Sequence, residues 1–247
     1  RQVSSLNYAT SYYWRVSASN TSGSSSYSTT ASFTTIPAPA ANLPISTTVG
    51  FPARSRAGDF VASDYRLVGL PGSTSIPIAS VLSGTQKKDW QVYWDNGASS
   101  NYFVEYDGSS RFEFGSGKAF WIVSKNALTI NRSVTSPTLN TSGNYEIALQ
   151  PGWNLISNPF SSSIPWSRIQ SANTTTASIF THNGSFASSV NFDPYAGYYY
   201  FNGSPGTVLS VLKVPYYSLF GNIEGPIGQS FEGWKVTMTL SPQGAQE

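Results

Sequence analysis

The chain has 247 residues and a formal net charge of +2; only 11% of the residues are charged, whereas 15% are aromatic. It has no cysteine, which excludes disulfides, thiolate nucleophiles and cysteine-ligated zinc or iron–sulfur centres. Basic residues are scattered, and no apolar run approaches the roughly 18 residues of a membrane helix, so the sequence predicts neither nucleic-acid binding nor membrane insertion. Few charges and many aromatic, Ser, Thr, Asn and Gly residues are typical of extracellular β-sandwich proteins.

The first predicted element is a β-hairpin in residues 1–36. Four apolar side chains alternate along its first strand and so share one face: Tyr12, Trp14, Val16 and Ala18. The spacing resembles the last two strands of a fibronectin type III domain. That resemblance implies that Leu6 and Tyr12 form the tyrosine corner of such a domain, with Trp14 in the same structural group.

A two-stranded hairpin is marginally stable in water, so we expect another element to cover its apolar face. Two explanations are open at this point. Either the chain is part of a longer parent or packs the hairpin on its own neighbour, or strands from another copy complete it by β-strand addition. Residues 37–44 follow as a proline-rich, extended linker.

The middle of the chain predicts two related β modules, at residues 45–130 and 131–213. Residues 65–72 and 145–152 each contain a Tyr, an apolar residue two positions later and a final Pro-Gly pair. Further matches join residues 92–97 with 179–184, 120–123 with 198–201, and 128–130 with 209–211. Two of these segments, 120–123 and 198–201, are apolar on both faces, which indicates strands covered on each side or in contact with another module.

The segment 152–160, Gly-Trp-Asn-Leu-Ile-Ser-Asn-Pro-Phe, predicts a strand entering a turn. Trp153 and Phe160 have the size of core residues, Pro159 removes a backbone donor, and Asn154 can bond to nearby backbone, so we expect structural roles for all four. The segment resembles the "GWNLxxNPF" stretch of β modules in large secreted and surface proteins of Gram-negative bacteria that are associated with type IX secretion. The resemblance implies an extracellular or cell-surface location.

Residues 214–247 predict a linker and the first strand of a further β domain. The alternating apolar residues of that strand are Trp234, Val236, Met238 and Leu240. The expected fold class is therefore all-β, with tandem β-sandwich modules and incomplete β elements at both ends. One short helix is expected near residues 165–172.

No catalytic constellation is visible, so the sequence predicts that the chain is not an enzyme and uses no cofactor. His182 is the single histidine; it lies in a predicted solvent-facing turn, without a nucleophile motif. Four carboxylates in the first module could supply the pair of acids that glycoside hydrolysis requires, but we interpret them as turn caps and surface groups: Asp95, Glu105, Asp107 and Glu113. A calcium ion on oxygen ligands such as Asp95, Asn96 and Asp107 is left open, although their spacing does not match an EF-hand loop.

Exposed aromatic rings on a sheet face can stack on sugar rings. Trp90, Val92 and Trp94 share the face that we assign to the core, which leaves Tyr93 on the other face. The candidate carbohydrate-binding residues are Tyr93, Tyr102 and Tyr106.

These observations favour a non-enzymatic, extracellular structural or adhesive segment of a modular bacterial surface or secreted protein. Assembly into a fibre through strand complementation is one form that this hypothesis takes, with other copies of the chain or neighbouring domains of its parent as partners. The alternative is a carbohydrate-binding module of a larger adhesin or of a secreted polysaccharide-degrading enzyme, with polysaccharide as the partner.

Overall fold

The computed structural model describes residues 6–35, 37–53, 60–203 and 208–216, and the backbone of residues 235–242. Antiparallel strands dominate, so the chain is all-β, as the sequence predicted. It divides into two compact units. One unit comprises Arg1–Pro39 and Ser218–Glu247, and the other comprises Ala40–Tyr217.

The described residues form 20 strands and one α-helix. The N-terminal strands are β1 (Ser11–Asn20), β2 (Gly23–Ser24) and β3 (Ala31–Thr34). The next eight are β4 (Asn42–Val49), β5 (Arg66–Gly69), β6 (Ile76–Pro77), β7 (Trp90–Asp95), β8 (Phe103–Glu105), β9 (Glu113–Phe114), β10 (Ala119–Ser124) and β11 (Leu128–Thr135). They are followed by β12 (Asn144–Ala148), β13 (Gly152–Ser157), β14 (Ile164–Pro165), α1 (Trp166–Asn173), β15 (Ile179–His182), β16 (Phe186–Ser189), β17 (Asn191–Phe192), β18 (Gly197–Asn202), β19 (Val211–Pro215) and β20 (Lys235–Pro242).

The first unit is a sheet in which β1 has partners on both edges. β20 pairs antiparallel with β1 from Tyr12↔Pro242 to Ser19↔Lys235, while β3 pairs with the opposite edge. We expected residues 214–247 to begin a further domain; instead, the strand within them lies along β1. β20 satisfies backbone groups on an edge of β1 that would otherwise lack partners. The predicted linker falls partly on β19, and residues 217–234, which include Trp234, lie outside the described residues.

Tyr12 anchors the hairpin in this unit. It is buried and stacks on Phe33 with ring centroids 5.7 Å apart. Its hydroxyl accepts a hydrogen bond from the backbone N–H of Asn7 at 2.9 Å, the kind of upstream backbone contact that a tyrosine corner makes. Leu6 and Trp14 are half-buried.

The second unit contains two modules with the same topology. Their four-stranded sheets have the orders β5-β10-β7-β8 and β13-β18-β15-β16. The smaller pairings also correspond, β4 with β11 to β12 with β19, and β6 with β9 to β14 with β17. Because β4 begins at Asn42 and β11 ends at Thr135, the first module extends beyond residues 45–130 at both ends and takes up part of the predicted linker.

The repeat has a different register from the one that the Pro-Gly pairs indicated. Tyr145 lies on β12, whereas Tyr65 precedes β5, so residues 65–72 and 145–152 are not equivalent. Strand pairing instead aligns residues 67–77 with 155–165 without a gap. A Pro-Gly pair marks turns in general, so its recurrence did not identify equivalent strands.

Two of the other three sequence matches, 92–97 with 179–184 and 120–123 with 198–201, have the correct register. Trp121 of β10 pairs with Tyr93 of β7, and Tyr199 of β18 pairs with Phe180 of β15. Residues 120–122 are therefore equivalent to 198–200, and 92–95 to 179–182.

Each module has its own apolar core behind its four-stranded sheet. The larger members of the first core include Trp90, Phe112, Phe114, Phe120, Ile122 and Leu128. Those of the second include Phe160, Ile164, Trp166, Phe192, Tyr198 and Tyr200. The predicted short helix is α1, which follows Pro165 and ends where Thr174 takes a left-handed conformation.

Three of the four residues singled out in segment 152–160 have structural roles, Asn154 at the turn before β13 and the other two after the strand. Asn154 is buried; its Oδ1 accepts from the N–H of Gln150 at 2.9 Å and its Nδ2 donates to the oxygen of Gln150 at 2.8 Å. Pro159 follows the strand, and Phe160 is buried against Tyr216. The fourth residue, Trp153, is not in the core, because alternation along β13 places it on the opposite face from Asn154.

The two modules pack the outer faces of their sheets together, and equivalent residues meet at this contact. A Cβ added at Gly69 would lie 2.1 Å from the Cβ of Ser157, and one added at Gly197 would lie 2.8 Å from the Cβ of Ala119. Contact between equivalent residues is the sign of two-fold packing, so the modules are related by an approximate two-fold axis. This contact covers the second apolar face of β10 and β18.

Candidate functional site

An aromatic cleft of about 1220 Å³ lies beside the contact between the modules. Its lining from the first module is Ala62, Tyr65, Tyr93, Asp95, Gly97, Ala98, Ser99, Tyr102, Phe103 and Trp121. Its lining from the second is Pro151, Gly152, Trp153, Phe180, His182, Phe186 and Tyr199. We call this space the intermodule cleft.

The repeat supplies most of this lining twice, from equivalent positions. Strand register gives five such pairs: Tyr65 with Trp153, Tyr93 with Phe180, Asp95 with His182, Phe103 with Phe186, and Trp121 with Tyr199. Four of the pairs are aromatic in both modules. Each module therefore builds one half of the cleft. The two halves differ most in chemistry at the equivalent positions of Asp95 and His182.

A hydrogen-bonded network crosses from one module to the other in the cleft. The indole N–H of Trp121 donates to the hydroxyl of Tyr199 at 2.9 Å, and this hydroxyl donates to Oδ2 of Asp95 at 2.6 Å. The other carboxylate oxygen of Asp95 accepts from the N–H of Gly97 at 2.9 Å. Burial, with a smaller effect of Asp95, raises the pKa of Tyr199, so its phenol stays neutral and keeps this donor role.

His182 lies at the end of β15 and is buried, with only 7% of its surface exposed. The expectation that it is a solvent-facing turn residue was wrong, because β15 extends through it and the first module covers its ring. That ring packs against Trp121 and Phe186, with centroids 4.8 and 5.0 Å away. Its Nδ1 lies 3.2 Å from the backbone oxygen of Tyr65.

Large aromatic side chains at the cleft remain open to solvent. Phe186 is 57% exposed, Phe103 48%, Trp153 47% and Tyr102 43%. Exposed apolar surface that is concentrated in one place marks interaction sites more often than scattered residues do. The cleft is thus an apolar surface with room for a ligand.

The structure brings together two of the three tyrosines proposed for carbohydrate binding. Tyr93 and Tyr102 line the intermodule cleft. Tyr106 instead packs against Trp90 and Phe112 of the first core, with ring centroids 5.1 and 5.2 Å away. Tyr106 lies on the same face as Val104, which also packs against that core, whereas Tyr102 precedes β8 and lines the cleft.

Most of the lining residues have no ligand role in the prediction from sequence. Trp153 was interpreted as a core residue, and Phe180 and Phe186 were not singled out. The signal that would have found them is the correct repeat register, which makes Trp153 the counterpart of Tyr65 and Phe180 the counterpart of Tyr93.

The carboxylates considered for catalysis or calcium are mostly dispersed. Glu105 pairs with Lys87 at 3.1 Å on the surface, and Asp107 accepts from Ser109 at 2.6 Å beside Arg111. Within the described residues, no group of three or more His, Cys, Asp and Glu side chains is placed to hold a metal ion. Nor does that part of the chain contain a helix long and apolar enough to cross a membrane.

Comparisons of the chain with protein-family models, with curated proteins and with solved structures find no match. The resemblances to a fibronectin type III domain and to a type IX secretion-associated module therefore stay predictions.

Proposed function

We propose that the chain is a non-enzymatic, extracellular adhesive segment that binds a carbohydrate chain in the intermodule cleft. The observation that carries this proposal is the cleft itself, in which two modules present aromatic rings from equivalent positions to one shared space. The proposal keeps the adhesive role expected from the sequence and adopts carbohydrate as its ligand.

Carbohydrate suits this lining because a pyranose ring has an apolar C–H face that stacks on an aromatic ring and hydroxyl groups at its edge. The cleft offers both kinds of partner, with indole, phenyl and phenol rings around a network of Asp95, Tyr199 and Trp121. Its volume of about 1220 Å³ exceeds the roughly 300–1,000 Å³ of common small-molecule pockets, which favours an oligomeric ligand.

Fibre formation through strand complementation is left out of this proposal. β1 is the strand that a neighbouring copy would have extended, and β3 and β20 of the same chain occupy its two edges. Size-exclusion chromatography with light scattering tests this point, since complementation would produce a concentration-dependent series of polymers.

Binding is tested by titrating soluble oligosaccharides into the protein and following tryptophan fluorescence, with pull-down on insoluble polysaccharides as a second assay. Trp153→Ala and Tyr102→Ala each remove an exposed ring from the cleft, and we expect each to weaken binding by about fivefold or more. Tyr27→Ala is the matched control, because Tyr27 is 47% exposed but belongs to the other unit.

The ligand should be recovered intact after prolonged incubation. Cleavage of the oligosaccharide by purified protein would contradict the non-enzymatic part of the proposal. Failure of every neutral and acidic polysaccharide to bind, or equal loss of affinity in Tyr27→Ala and Tyr102→Ala, would contradict the carbohydrate site.

A further inference from the structure

The described lining of the intermodule cleft includes an acidic side chain but no lysine or arginine. Asp95 is a carboxylate in its lining, and no Lys or Arg side chain among the described residues lines the cleft. The two oxygens of Asp95 already accept hydrogen bonds from Gly97 and Tyr199. A ligand carboxylate or sulfate would therefore enter a partly desolvated space near a like charge, and no Lys or Arg of the described lining would pair with it, which is costly.

His182 provides a hydrogen-bonding atom that has no partner among the described residues. A backbone carbonyl can only accept, so the contact with the oxygen of Tyr65 requires the proton to lie on Nδ1. In the neutral ring Nε2 is then an acceptor, and no hydrogen bond to it occurs among the described residues. Burial, together with the nearby guanidinium of Arg66, keeps the pKa of His182 below its usual value, which favours the neutral ring.

The place of this atom matters because His182 is more than nine-tenths buried and lines the cleft. A buried acceptor without a partner costs free energy unless water or a ligand donates to it. A carbohydrate hydroxyl is such a donor. Both oxygens of Asp95, the equivalent residue of the first module, already accept hydrogen bonds from the protein. The two halves of the cleft therefore differ in the hydrogen-bond acceptors that they offer a ligand.

We infer that the intermodule cleft selects neutral glycans over glycans that carry carboxylate or sulfate groups, and that Nε2 of His182 accepts a hydrogen bond from a ligand hydroxyl. This inference rests on the proposed carbohydrate site and names the class of carbohydrate that it takes.

The selectivity is tested with the full chain and a panel of probes in the same buffer. The neutral probes are soluble β-glucan, mannan and xylan, and the acidic probes are polygalacturonate, alginate and a sulfated galactan. We expect at least one neutral probe to bind about tenfold or more tightly than every acidic one. Acidic probes that bind as tightly as neutral ones overturn the inference and leave the carbohydrate site standing, whereas a panel without any binder overturns both.

The role of His182 is tested first without any substitution. It is the only histidine in the chain, so nitrogen-15 labelling of histidine gives one pair of imidazole resonances in an NMR spectrum. The free protein should show the Nδ1–H tautomer. Adding the neutral probe that binds should shift the Nε2 resonance in the direction of hydrogen-bond acceptance while the tautomer is retained. An Nε2 resonance that stays unchanged at saturation overturns the role of this atom.

A pair of variants separates the two ring nitrogens. His182→Asn can keep a donor toward the oxygen of Tyr65 but loses the acceptor at Nε2, whereas His182→Gln places an amide near the Nε2 position. We expect His182→Asn to weaken binding of the neutral probe by about fivefold to tenfold and His182→Gln to weaken it less. Folding of each variant is checked by its circular dichroism and thermal midpoint. Equal affinity of folded His182→Asn and the parent protein overturns the inference.

Discussion

At the scale of single residues, His182 shows how tertiary contacts alter a side chain that the sequence presents as ordinary. Within its own module it ends β15 beside an Asn-Gly pair. In the folded unit it is enclosed by Trp121, Phe186 and the backbone of Tyr65. These contacts fix which nitrogen holds the proton and remove water from the ring.

His182 should also make the stability of the Ala40–Tyr217 unit depend on pH. Its pKa is lower in the folded protein than the value of about 6.5 expected for an unfolded chain. The folded state then binds fewer protons than the unfolded state, so the free energy of unfolding should fall as pH decreases below about 6.5. Urea denaturation at pH 7.5 and 5.5 measures this change, and His182→Gln should reduce it.

Other groups around the ring do not titrate in that window. Arg66 keeps its charge in that window, and burial raises the pKa values of the Tyr93 and Tyr199 phenols further above it. A pH dependence that is the same in His182→Gln and in the parent protein would show that another group is responsible.

At the scale of elements, β20 is the clearest departure from the expectation based on sequence order. The apolar alternation in residues 234–240 predicted a strand, and a strand is present. Its partner is β1, more than 200 positions away along the chain. Local patterning indicates that a segment is extended, but it does not indicate which edge will supply its hydrogen bonds.

Replacing β20 with a Gly/Ser sequence of equal length should expose one edge of β1. We expect the amides of Tyr12–Ser19 that donate to β20 to exchange with solvent about tenfold or more faster, equivalent to about 1.4 kcal/mol in opening free energy. Hydrogen exchange followed by NMR measures this effect residue by residue. The amides of β10 and β18, which belong to the other unit, are the internal control and should not change.

Unchanged protection along β1 after the replacement would contradict the pairing with β20. Faster exchange in β10 and β18 as well would indicate that the replacement had destabilised the whole chain, and the comparison would then be repeated with fewer substituted positions.

At the scale of the whole molecule, the important contact is the one between the two modules of the Ala40–Tyr217 unit. Small residues allow the outer faces of the sheets to approach closely at Gly69 and Gly197. The side chain of Ser157 then reaches across, where its hydroxyl donates to the backbone oxygen of Lys118 at 2.7 Å. Without this close packing, the aromatic halves of the cleft would not face a common space.

Gly69→Ala should therefore loosen the contact between the modules. The added Cβ would lie 2.1 Å from the Cβ of Ser157, and overpacking of this kind costs about 1–3 kcal/mol. Gly115→Ala is the matched control, because a Cβ there meets nothing within 4 Å. Free energies of unfolding from urea denaturation compare the two variants.

Ser157→Gly should restore part of the stability lost in Gly69→Ala, because it removes the atoms with which the new Cβ collides. On its own it should cost about 1 kcal/mol through the lost hydroxyl contact with Lys118. The four proteins form a double-mutant cycle. Additive losses, with no restoration in the double variant, would contradict the close approach of these two residues.

Particular strands show how much of the fold and of the cleft can be predicted from the sequence. Alternation identified Trp90, Val92 and Trp94 as one face of β7 and left Tyr93 on the other, which is how the structure places them. The apolar character of residues 120–123 and 198–201 on both faces indicated that a second layer covers these strands. For Trp153 and Tyr106 the residue type was misleading, because alternation places Trp153 opposite the buried Asn154 and places Tyr106 on the core face with Val104.

The sequence by itself determined the all-β class, the presence of a repeated module and the aromatic residues available to a cleft. These follow from side-chain period and turn chemistry, which act over a few residues. Only the tertiary structure decided that β20 returns to β1, that the modules meet around an approximate two-fold axis, and that Asp95 and His182 border one cleft. Those outcomes depend on which surfaces meet after the chain has folded, and a local pattern does not specify its distant partner.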